Sequence, residues 1–86
     1  MAVVMQESRL GQAKAFRDRC LQSILRNLEA AGNEGFFGPE LFARVAREVS
    51  DDSVRYRWEA FESHLDLLLN ARCISLTPME RIQLAA

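Results

Sequence analysis

Apolar residues recur at helical spacing in three separate stretches of this chain. Ala13, Phe16, Cys20, Leu21, Ile24, Leu25 and Leu28 step by three and four, which places them on one face of a first helix. That helix is predicted to begin between Gly11 and Ala13 and to end at Gly32-Asn33, where glycine accepts a left-handed backbone at little cost. Leu41, Phe42, Val45, Ala46 and Val49 mark a second helix. Pro39 suits its first turn and Glu40 suits the positive end of its dipole. Val54, Trp58, Phe61, Leu65 and Leu68 form the stripe of a third, longer helix running to Asn70 or Arg72. Ser50-Asp51-Asp52-Ser53 before it is rich in N-cap residue types.

The pattern then changes period. Cys73-Ile74-Ser75-Leu76 and Arg81-Ile82-Gln83-Leu84 alternate apolar and polar, as half-buried strands do, around a Thr77-Pro78-Met79-Glu80 turn. A hairpin follows. The competing reading starts a short fourth helix at Pro78, with Thr77 as its N-cap. Between the first two helices, Phe36-Phe37 is bracketed by glycines and reads as a very short strand or a core plug. The expected class is mainly α: three helices with a short C-terminal β-hairpin. The expected organisation is an N-terminal arm over 1–12 and one domain over 13–86.

The order of these elements resembles the winged helix-turn-helix superfamily, including small phage or prophage-type and regulator-like members. The run from Ser63 to Leu76 carries the likeness: His64, Leu65, Leu68, Ala71 and Ile74 match a His-Leu-x-x-Leu-x-x-Ala-Gly-Leu-Ile pattern. Arg72-Cys73 stands where Gly-Leu is usual. The resemblance implies a third helix that enters the DNA major groove through its N-terminal half. That points to Ser53, Arg55, Tyr56 and Arg57, and the neighbouring helix adds Arg44 and Arg47. Tyr56 lies off the apolar stripe and is expected at the surface; Trp58 lies on it and is expected in the core. The residue spacing offers another use for the arginines. Glu40, Arg44 and Glu48 stand at steps of four, as do Arg55 and Glu59, which suits ion pairing along helices.

Composition narrows the functions. The chain has 86 residues, 49% of them hydrophobic and 27% charged, as one globular domain does. Its net charge of −1 lacks the basic excess usual in nucleic-acid-binding domains. Cys20 and Cys73 are too isolated for a zinc site and read as small buried hydrophobes, two free thiols rather than a disulfide. No run reads as a secretory signal or a membrane span, so a cytoplasmic location, or a nuclear one in a eukaryote, is the default expectation. His64 is the only histidine. Asp66 points off another side of its helix, so a structural or surface histidine is expected. Ser53, Ser63 and Ser75 lack a nucleophile-elbow context, and there is no Gly-rich phosphate loop. No enzyme, cofactor or metal is expected. Two functions remain. The leading one is a homodimeric, DNA-associated, transcription-regulating domain on double-stranded DNA, contacting it through Arg44, Arg47, Ser53, Arg55, Tyr56 and Arg57. The other is a protein-interaction module on the same scaffold, an adaptor or inhibitor, which the acidic pI, the short turn at 77–80 and Asp51-Asp52 favour.

Overall fold

The computed structural model describes the backbone of residues 2–50 and 55–85, and the side chains within those spans from residue 13 onward. Its elements run α1 Ala2–Ala31, a 3-10 turn Gly32–Glu34, β1 Phe36–Phe37, α2 Gly38–Val49, α3 Trp58–Asn70, β2 Ile74–Leu76 and β3 Arg81–Leu84. The protein is thus mainly helical with a small three-stranded antiparallel sheet, in the order β1-β3-β2. The residues expected as an arm are, from Ala2, the first turns of α1. Good helix formers dominate that stretch, and a helix nucleated downstream propagates through Gly11 at a cost of about 1 kcal/mol.

The core lies between the three helices and one face of the sheet. Cys20, Ile24 and Leu28 from α1 meet Leu41, Val45 and Val49 from α2, Phe61 and Leu68 from α3, and Ile74 and Ile82 from the strands. Each large apolar side chain so buried contributes roughly 1.5–3 kcal/mol. A polar clamp fixes α1 on α2 beside this core. Ser23, itself fully buried, donates to Glu48. Asn27 Nδ2 donates to the other Glu48 oxygen at 3.1 Å. These bonds, the Ser23 hydroxyl first, hold the Glu48 carboxyl below its usual range.

The hairpin forms as the alternation predicts, and no helix starts at Pro78. Ile74 pairs with Leu84, Ser75 with Gln83 and Leu76 with Ile82. The turn closes because the Thr77 carbonyl accepts from Glu80 N–H at 2.9 Å and Thr77 Oγ1 accepts from Arg81 N–H at 3.1 Å. Phe36-Phe37 is a strand: it pairs with Ile82 and Arg81, so β3 becomes the centre of the sheet. Gly35 makes this approach feasible. Its φ is +63°, and a Cβ there would sit 2.3 Å from the Ile82 carbonyl oxygen.

Three expectations are corrected. First, α3 starts at Trp58, not near Val54. Val54 and three of the expected cap residues, Asp51, Asp52 and Ser53, lie outside the described residues. Ser50, the fourth, does not cap α3: its Oγ accepts the Tyr56 N–H at 3.1 Å, and Arg57 takes the N-cap place in extended conformation without a side-chain cap. Second, Tyr56 is buried, at 4% exposure, while Trp58 is 39% exposed. Residues 55–57 are not helical, so their side chains do not follow the phase of α3. Third, Cys73 is exposed. It precedes β2 on the side opposite the buried Ile74, and the alternation that buries one exposes the other.

Candidate functional site

The sequence-derived site residues divide among different surfaces. On α2, the buried stripe Leu41-Val45-Val49 has Phe42 and Ala46 on one flank and Arg44 and Glu48 on the other, from the 3.6-residue turn. Arg44 faces β1, where its guanidinium lies 4.7 Å from the centre of the Phe36 ring. It does not form the expected ion pair with Glu40 or Glu48, and Arg55 forms none with Glu59. The ion pairs among the described residues are Arg17–Asp18 and Arg26–Glu48, at 3.8 and 3.7 Å. Glu48 is drawn to α1 by Ser23 and Asn27, which leaves the Phe36 ring as the contact of Arg44. Arg47 is exposed on the outer side of α2. Ser53 lies outside the described residues.

Arg55 and Arg57 do come together. They line an open groove with Phe42, Ala46, Ser50, Tyr56, Trp58 and Glu59. Aromatic contacts build its floor. Phe42 packs on Tyr56, Trp58 and Phe61, with ring centres 5.8, 5.3 and 5.4 Å apart.

Beneath this groove is a polar pair that the helical periodicity could not reveal. The Tyr56 hydroxyl and His64 Nδ1 are 2.7 Å apart, and the two rings stack at 14°. His64 is 9% exposed. Its partner comes from the extended segment, not from a neighbour on its own helix. The Cys20 thiol adjoins the same hydroxyl. Burial pushes the Tyr56 hydroxyl and the Cys20 thiol up, and Arg19 partly offsets the effect on Cys20. Burial, with Arg17 nearby, pushes His64 down. Near neutral pH the tyrosine and thiol keep their protons and the imidazole stays uncharged. A neutral ring with its proton on Nε2 accepts the Tyr56 hydroxyl at Nδ1. This arrangement disfavours the thiolate a nucleophile needs and anchors the segment that carries Arg55 and Arg57.

α3 itself presents a different surface. Its outward residues are Glu59, Glu62, Ser63, Asp66 and Asn70, all exposed, and Trp58–Asn70 contains no Lys or Arg. Beside this acidic face, a cavity of about 120 Å³ opens between α3 and the hairpin, lined by Glu62, Leu65, Asp66, Leu69, Ile74, Leu76 and Ile82. Leu76 is 59% exposed there. On the other flank of α3, Leu67 is 47% exposed. Among the described residues no group of three or more His, Cys, Asp or Glu could hold a metal ion. No helix among them is long and apolar enough to cross a membrane. Compared with protein-family models, with curated proteins and with solved structures, the chain shows no significant match.

Proposed function

We propose that this is a protein-interaction module on a winged-helix-type scaffold, acting as an adaptor or inhibitor rather than as a reader of duplex DNA. The element order α-β-α-α-β-β and the β1-β3-β2 sheet support the scaffold assignment. One observation carries the function: α3, the helix that such a scaffold would lay in the major groove, has three carboxylates and no Lys or Arg. Duplex DNA carries one negative charge for about every 1.7 Å of its axis, so that helix face would meet repulsion where a reader needs attraction. The rest of the exposed α3 surface is apolar or neutral, as a protein-binding face is.

A second reading keeps DNA as the ligand. It is favoured by Arg55 and Arg57, exposed together beside Trp58 at the start of α3. Arginine there could hold phosphate with no help from the helix face.

Titration of a labelled random-sequence duplex at about 50 and 200 mM salt separates the two. The expected result is no measurable binding at either. Affinity that falls steeply with salt, and is lost in Arg55→Glu and Arg57→Glu, would overturn the module reading.

A further inference from the structure

We propose that the cavity between α3 and β2 seats one aliphatic side chain from a basic amphipathic segment of a partner protein. Glu62 and Asp66 then pair with flanking Lys or Arg residues of that segment. The proposal rests on the reading of the domain as a protein-interaction module, and it names the partner's chemistry.

Leu65 and Leu69 form one wall of the site, Ile74 and Ile82 the other, and Leu76 stands at the mouth. The volume of about 120 Å³ sets the size of the guest. An apolar cavity of roughly 150 Å³ takes a benzene-sized molecule, so one leucine, isoleucine or methionine side chain fits here and an indole does not. An apolar floor gains by excluding water from the seated chain and from Leu76. The polar residues at this site are both acidic, and both are exposed. Carboxylates at a rim steer the approach of a cationic segment and fix its register. They also argue against a second copy of this chain. In a two-fold contact centred on this face, Glu62 and Asp66 would face their own counterparts, like charge against like.

The probe is a fluorescein-labelled helical amphipathic peptide of leucine and lysine, with a leucine–glutamate peptide as its counterpart, followed by anisotropy. The leucine–lysine peptide binds and the glutamate peptide does not. Leu76→Ser weakens binding roughly tenfold by removing apolar contact. Leu67→Ser, exposed on the opposite flank, leaves it unchanged. Glu62→Lys combined with Asp66→Lys transfers the preference to the glutamate peptide. All four positions are at the surface, and circular dichroism checks that each variant is folded.

No binding of the leucine–lysine peptide overturns the proposal. So does equal weakening by Leu67→Ser and Leu76→Ser, which would mark non-specific adsorption. A dimer in solution that Leu76→Ser disperses overturns it in favour of a second copy. Preference of the unmodified protein for the glutamate peptide overturns the basic partner while the module reading stands. Salt-steep duplex binding overturns the module reading itself.

Discussion

Replacing Tyr56 with phenylalanine removes a single hydroxyl and keeps the ring. The packing of that ring against Phe16, Phe42 and Phe61, at 6.3, 5.8 and 6.4 Å between centres, is retained. What disappears is the 2.7 Å bond to His64 Nδ1. The bond itself is worth about 0.5–1.5 kcal/mol net, and a buried acceptor left without a partner costs about 1–3 kcal/mol. Because His64 is 9% exposed, water reaches it poorly and the penalty should be felt. The expected loss is about 2 kcal/mol, or roughly 8–16 °C in Tm for a domain of this size. Urea unfolding followed by fluorescence measures it. Trp58 is the only tryptophan and lies 5.2 Å from Phe61, so its emission follows the core. His64→Leu in the same background supplies the control. With both polar partners gone no orphaned group remains, and the double variant should be more stable than the sum of the single losses predicts. A change below about 0.5 kcal/mol in Tyr56→Phe, or strictly additive losses, would refute the pairing as a stabilising element.

Three further outcomes are expected. His64 has its folded pKa lowered from 6.5, so its contribution is fully present above that value and is lost as pH falls through the folded pKa. Urea midpoints should decline from about pH 7 to about pH 5.5 in the wild type and much less in His64→Leu; equal slopes would remove His64 as the cause. Arg72→Gly should stabilise by about 0.5–1 kcal/mol, since Arg72 holds φ +61° and the left-handed cost to a non-glycine residue exceeds the extra freedom glycine has when unfolded. A lower melting temperature in that variant would contradict the strain argument. Gly35→Ala should cost about 3 kcal/mol or more, because it combines a positive φ with a Cβ 2.3 Å from the Ile82 carbonyl. A urea midpoint near that of the wild type would show that β1 does not depend on this close approach.

Local chemistry made much of the fold legible. The stripes of α1 and α2 appear in or against the core as their spacing requires, apart from Ala13, which is exposed, and the alternation at Ile74-Ser75-Leu76 and Arg81-Ile82-Gln83-Leu84 became β2 and β3. The exit from α3 was legible too. Cys73 N–H reaches the Leu68 carbonyl at 2.9 Å and Arg72 N–H reaches Leu69 at 3.0 Å, the bonding that a left-handed residue after a helix makes. Arg72, an exposed non-glycine residue, holds this left-handed position at φ +61°.

The candidate site was less legible, because its residues lie where periodicity stops. Tyr56 and Trp58 exchange their expected places, since the first is held extended by Ser50 and the second, at the first residue of α3, lies on the flank of the buried Phe61-His64-Leu68 face. The partner of His64 is eight residues away across a helix boundary, a distance at which spacing carries no information. The four arginines separate because Arg44 turns toward Phe36 while Arg55 and Arg57 line the groove on the other flank of α2. Sequence by itself determined which faces of each element are apolar, because 3.6- and 2-residue periods follow from covalent geometry alone. Only the tertiary structure decided which polar groups meet. Their pairing depends on how helices and strands from distant parts of the chain pack, and on the need to satisfy each polar group that this packing buries.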